Sequence, residues 1–163
     1  MDEKDREILH LLEENGRSTP GEMAAGLALS EDEVRERIRA MEQSRVIRKY
    51  HTVVDWERAG NSRVSAIIDL KIAPERDFGY DKIAERIARH RQVKALYLVS
   101  GVYDLQLLVT GKDMNEVSRF VSEQIATMDH IRETATHIIM KIYKEDGNPF
   151  FEREGGERLP ISF

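Results

Sequence analysis

The hydrophobic period of this chain changes once along its length, and that change limits the fold more than any single residue does. From Asp5 to about Glu42, apolar residues recur at helical spacing in three runs, with no two-residue alternation that would call for a strand. From Val64 onward the pattern is different. Val64 to Ile72 reads as a strand, and Tyr80, Ile83, Ala84, Ile87 and Ala88 recur as a helix. Val93 to Val99 and Leu105 to Thr110 follow as two strands, then Met114, Val117, Val121 and Ile125 as a helical stripe, and Ile131 to Tyr143 as a last strand. The order β-α-β-β-α-β predicts a ferredoxin-like module, a four-stranded antiparallel sheet with both helices on one face. The uncovered face makes self-association the simplest way to bury it.

Between the two regimes, Trp56-Glu57-Arg58-Ala59-Gly60-Asn61-Ser62 follows neither period. We therefore expect an α+β protein with a helical domain over 1–53, a linker over 54–63, the sheet module over 64–144 and a turn-rich tail over 145–163. In the first part, Ile8, Leu11 and Leu12 mark a helix stopped by Asn15-Gly16, and a second helix starts near Pro20, carrying Met23, Ala24 and Leu27. Ser30 and Glu33 form a capping box for a third helix, whose apolar stripe is Val34, Ile38 and Met41. Only Ala28 and Leu29 lie between the second helix and this cap, which outlines a helix-turn-helix. The β-rich, basic run Val46-Ile47-Arg48-Lys49-Tyr50-His51-Thr52-Val53-Val54 then reads as a wing or linker strand.

Composition removes several classes of function. The 163 residues contain no cysteine, so disulfides, thiolate zinc sites and cysteine nucleophiles are excluded. An acidic start without an apolar run, and the absence of any stretch of about 18 apolar residues, point to a cytoplasmic protein without a membrane span. His10, His51, His90, His130 and His137 show no metal-ligand spacing, and neither a phosphate loop nor a nucleophile elbow is present. Gly101, Gly111, Gly147 and Gly155-Gly156 read as scattered turn signals. These features predict a protein without metal, cofactor or enzymatic activity. Net charge is -5, and residues 1–60 hold 14 acidic against 10 basic side chains, a balance that weighs against nucleic acid on composition alone.

The ordered motifs nevertheless resemble the Lrp/AsnC family of leucine-responsive or feast/famine regulators over about Asp2 to Lys144. They are Asp5-x-x-Ile8-Leu9, Arg17-Ser18, Ser30-x-x-x-Val34-x-x-Arg37-Ile38, Val46-Ile47, Ser100-Gly101-Val102-Tyr103-Asp104 and Thr134-Ala135-Thr136. The resemblance implies a transcription regulator with a winged helix-turn-helix and a C-terminal ferredoxin-like (RAM) domain. It also implies dimerisation through the C-terminal modules, further assembly into an octamer in many members, and sensing of a small molecule, usually an amino acid. The chain departs from the family pattern in two places. Arg45 stands where a glycine usually closes the third helix, and Glu31-Asp32-Glu33 opens the helix whose start would meet DNA.

The candidate DNA contacts are Ser30, Arg35, Arg37 and Arg39 on the third helix with Arg48 and Lys49 after it, because an Arg fork can read guanine while an adjacent basic segment tracks the backbone. The same helix also supports a purely structural account, in which Glu31 pairs with Arg35 and Glu33 with Arg37 at i,i+4. An acidic regulator of this kind is expected to bind single sites weakly and to gain roughly 10²-fold or more by linking several copies. By resemblance, the effector would be held by Ser100, Gly101, Tyr103 and Asp104, with Thr134 and Thr136 reaching it from the last strand. Without the resemblance, the loop is a turn and the threonines are ordinary strand residues. Two rivals stay open. One is an enzyme subunit similar to siroheme decarboxylase, which needs basic and histidine side chains around a large cleft. The other is a ligand sensor that no longer binds DNA.

Overall fold

The computed structural model describes residues 1–73 and 79–151. Its described residues divide into two compact units, with the break between Val53 and Val54. The first contains α1 (Glu3–Glu14), α2 (Pro20–Leu27) and α3 (Glu31–Gln43). Each of these helices opens with a reciprocal capping box, Asp2 with Asp5, Thr19 with Glu22 and Ser30 with Glu33. In each box the cap side chain accepts an otherwise unpaired N–H while the acid three residues on accepts from the cap's own N–H. Ile8, Met23, Ala24, Leu27, Val34 and Met41 are buried together between the helices. The turn into α3 is tight because Ala28 takes a left-handed conformation with φ 54 and ψ 40.

A second left-handed residue closes α3. Arg45 has φ 59, its N–H donates to the Glu42 carbonyl at 3.0 Å, and the Val46 N–H donates to the Met41 carbonyl at 2.9 Å. This pair of bonds is a Schellman motif with arginine at the position that usually belongs to glycine, which costs on the order of 1 kcal/mol. The chain keeps the geometry despite the missing glycine. The expected wing strand differs: residues 46–54 form no strand within the described chain. Only Ile47 of this run packs on the helical core, and an extended segment without a neighbouring strand has no ladder to join.

The second unit carries β1 (Val64–Ile72), α4 (Tyr80–Ala88), β2 (Val93–Leu98), β3 (Leu105–Gly111), α5 (Met114–Phe120) and β4 (Ile131–Ile138), and one π-helical turn, Val121–Ile125, extends α5. The strands form one antiparallel sheet in the order β2-β3-β1-β4, the ferredoxin-like arrangement. Alternation places Ala66, Ile68, Leu70, Ile72, Leu105, Leu107 and Val109 on the helix side, against Ile83, Ile87, Val117, Phe120 and Ile125. Gly111 is more than a turn signal: a Cβ there would sit 3.0 Å from Val117 Cγ2, so its bare backbone admits α5 against the end of β3.

The last strand stops at Ile138, short of Tyr143, and a hairpin follows. Its strands β5 (Lys144–Glu145) and β6 (Asn148–Pro149) are joined by Asp146 and Gly147 at φ 43 and φ 80, a turn with both central residues left-handed. The hairpin crosses residue 144, where the sequence places the end of the module, and Phe150 N–H extends it by donating to the Tyr143 carbonyl at 2.9 Å.

Replacing Arg45 by glycine removes the Cβ conflict without touching the core. The Arg45→Gly variant is expected to gain about 1 kcal/mol in urea unfolding, whereas Arg45→Ala, which keeps the conflict, gains little.

Candidate functional site

The capping and core contacts of α3 decide which of its side chains remain available. Val34, Ile38 and Met41 turn inward, so at 3.6 residues per turn Asp32, Glu36, Arg39 and Gln43 share the opposite, exposed face. Ser30 is committed to its box. Its hydroxyl donates to Glu33 Oε2 at 2.8 Å and accepts from the Glu33 N–H at 3.2 Å. Arg35 is held by Glu31 and by Asp32 Oδ1, the latter at 2.6 Å. Arg39, Arg48 and Lys49 are exposed and make no ion pair among the described residues.

Arg37 is placed differently from the expected i,i+4 pair. Glu33 is occupied at the cap, and the Arg37 guanidinium instead crosses to α1, donating to Asp2 Oδ2 at 2.8 Å and Asp5 Oδ1 at 2.7 Å. It thereby ties α3 to the first turn of α1. The Asp2 carboxyl is held below its ordinary 3.8, chiefly by the Asp5 N–H and then by Arg37, and the Asp5 carboxyl by the Asp2 N–H and then Arg37. The same two hydrogen bonds raise Arg37 above its ordinary value. Local spacing could not reveal this partner, because it lies 35 and 32 residues away.

In the second unit, the loop between β2 and β3 is anchored on β1 and β4. Val99 N–H donates to the Asp104 carbonyl, and Asp104 N–H to the Leu70 carbonyl, each at 2.9 Å. The Asp104 carboxylate accepts from the Ile72 N–H at 2.8 Å and lies 3.5 Å from Lys71 Nζ, which itself donates to the Val102 carbonyl at 2.5 Å. Asp104 therefore holds the loop in place before it can serve any ligand. Tyr103 donates to Glu133 at 3.3 Å, and that neighbouring carboxylate is the main reason its phenol is pushed up. Gly101 takes φ 141, which favours glycine. The N–H groups of Ser100, Gly101, Val102 and Tyr103 have no partner among the described residues, an arrangement suited to a carboxylate.

The register puts Thr134 opposite Leu70 and Thr136 opposite Ile68, on the helix side of the sheet, whereas Glu133 lies opposite Lys71 on the open side. The threonines are thus brought to the β4 edge without bonding to the loop. Lys71 and Glu133, the residues that fix this loop, carry no motif signal in the sequence. The open face also holds Asp69, which accepts from Gln106 at 2.9 Å and stands 3.3 Å from His137 Nε2. Near α5, an open groove of about 430 Å³ is lined by His90, Lys112, Glu116, Arg119 and Glu123 among others, so its carboxylates offset its cations. Among the described residues no group of His, Asp and Glu is arranged to hold a metal, and no helix is long and apolar enough to cross a membrane.

A family model for the AsnC-type helix-turn-helix domain matches residues 1–42, and one for the Lrp/AsnC ligand binding domain matches residues 65–149. The chain is 39% identical to the uncharacterized HTH-type transcriptional regulator YugG of Bacillus subtilis, over 99% of this chain and 98% of that one. Among solved structures, the leucine response regulatory protein of Mycobacterium tuberculosis is similar at a TM-score of 0.74 and 25% identity, covering 90% of this chain and 97% of that one. A transcriptional regulator of Neisseria meningitidis, solved as its L-Met complex, is similar at 0.70 and 25% identity, covering 89% and 93%.

The Arg37 bridge has a pH signature. Because the Asp2 and Asp5 pKa values are depressed on folding, their contribution is present above 3.8 and is lost as pH falls through the folded-state values. Urea unfolding should show Arg37→Ala less stable than the parent at neutral pH. The difference should shrink as pH falls below 3.8 and on through the depressed folded-state values, where the two carboxyls take up protons and their pairing with Arg37 is lost.

Proposed function

This chain belongs to the Lrp/AsnC family of HTH-type transcriptional regulators, and we propose that it reads duplex DNA with the exposed face of α3 and answers to an amino acid bound at its C-terminal domain. The observation that carries this proposal is the helix-turn-helix itself, with its matched domain, its tight left-handed turn and the exposed, unpaired Arg39 on the outer face of α3. Ser30 positions the start of that helix, and Arg39 is the side chain on it best placed to approach a base edge. Arg48 and Lys49 would follow the backbone. Arg35 and Arg37 would have to leave carboxylate partners to touch DNA, which makes them supports of the helix first.

The amino-acid proposal is supported by the ligand-binding-domain match and by the related regulator solved with L-Met. The free N–H groups over Ser100 to Tyr103 suit the effector's carboxylate, with Asp104 as the brace of that loop. Thr134 and Thr136 would reach the ligand only at the β4 edge, so we place the complete site between subunits of a homodimer or octamer. Linkage then lets the effector shift DNA affinity by favouring one assembly. We read the protein as a cytoplasmic, non-enzymatic regulator without metal or cofactor. A sensor without DNA is the second reading, favoured by Asp32 and Glu36 beside Arg39.

Incubating the full chain with fragmented DNA at near-physiological salt, and sequencing what is retained, should enrich sites with approximate two-fold symmetry. On an enriched site Arg39→Ala is expected to cost about 1–3 kcal/mol in fluorescence anisotropy and to relax sequence preference. Retention of no sequence, or an Arg39→Ala variant indistinguishable from the parent, would favour the sensor. Sedimentation that shows only monomer at micromolar concentration would contradict both the assembly and the inter-subunit site.

A further inference from the structure

We propose that the phosphate backbone is gripped by a second cationic surface at the C-terminal end of α3, formed by Arg17, Arg45, Arg48 and Lys49 with Tyr50 as positioning residue; this rests on the DNA-binding proposal above. Three separate segments meet at Tyr50. Its hydroxyl donates to Glu42 Oε1 in the last turn of α3 at 2.9 Å. Its ring lies 3.9 Å from where a Cβ on Gly16 would stand, so it covers the glycine of the loop after α1. Arg17 follows that glycine, Arg45 lies three residues beyond Glu42, and Arg48 and Lys49 lead directly into Tyr50. The tyrosine thus joins the three segments that carry these cations, the first interhelical loop, the α3 terminus and the extended run.

All four cations are exposed and none makes an ion pair among the described residues. The exposed carboxylates on the same segments, Glu13, Glu14 and the Glu42 that accepts from Tyr50, number three against these four cations, so the patch keeps a small positive balance. The outer face of α3 is the opposite case, since Asp32 and Glu36 stand beside Arg39 and Arg35 is neutralised by Glu31 and Asp32. A surface of unpaired cations drawn from several loops fits a regularly spaced polyanion rather than one small anion.

Arg45 adds an independent observation. It occupies a left-handed position at φ 59 that glycine would fill without strain. Its side chain is exposed, so the residue that carries this strain also presents its charge to solvent. Backbone contacts of this kind set position and affinity without reading sequence.

The test compares the full chain and its variants on a duplex enriched from fragmented DNA and on a scrambled duplex of equal length, across a KCl series. Arg17→Ala and Arg45→Gly should each lower the slope of log affinity against log salt by about 0.9, and each should weaken both duplexes by the same factor. Arg45→Lys should keep the slope. Arg45→Gly is the informative variant because it should bind less tightly while unfolding at higher urea, which separates lost charge from lost fold. Unchanged slopes for Arg17→Ala and Arg45→Gly, with Arg39→Ala still weakening the enriched duplex, would overturn this surface and leave the regulator assignment intact. A parent protein that binds neither duplex at any salt would overturn both.

Discussion

Short helices in water do not hold themselves, and the DNA-reading half of this molecule depends on how their ends are closed. Its three helices have 12, 8 and 13 residues, at or below the length of about 12–15 at which an isolated helix is marginal. Each solves the problem at its start in the same way, with a cap side chain and an acid three residues later exchanging hydrogen bonds. The carboxylates so placed also favour the positive end of the helix dipole. Four of the 14 acidic side chains of residues 1–60, Asp2, Asp5, Glu22 and Glu33, thereby have a structural role.

The same bookkeeping of charges explains why the recognition helix looks so poor in free cations. Of its three arginines, one is held by carboxylates in its own first turn, and one crosses to α1 and orients the helix. Only Arg39 is left on the outer face. Support and availability are thereby divided between different residues: carboxylate-paired Arg35 and Arg37 belong to the helix scaffold, whereas the exposed Arg39, Arg45, Arg48 and Lys49 make no ion pair among the described residues.

The sheet domain is asymmetric for a related reason. One face is sealed by two helices around an aliphatic core, with Gly111 letting α5 approach the end of β3. The other face carries Asp69, Gln106, His137, Lys71 and Glu133 in paired polar contacts. The loop from Ser100 to Asp104 is tied to β1 and β4 by Asp104, Lys71 and Tyr103. Thr134 and Thr136 lie on the other side of the sheet plane from Lys71 and Glu133, which hold this loop.

What the amino-acid sequence determined by itself was local: the switch of hydrophobic period, the order of elements, the Ser30–Glu33 cap, the stop at Asn15-Gly16 and the glycine-dependent loop at Gly101. Such features rest on contacts three or four residues apart, or on the φ of one residue, and they survive in any context. The tertiary structure decided the partners. Glu33 and Asp2 with Asp5 were equally good carboxylates for Arg37 until packing set α1 beside α3, and Asp104 was free for a ligand until β1 brought Ile72 and Lys71 to it. Residues 46–54 had the composition of a strand but found no ladder within one chain. Charge and β-propensity state what a residue can do; only the placement of elements distant in sequence states with whom, because electrostatic and hydrogen-bonding groups accept any partner of the right sign that arrives.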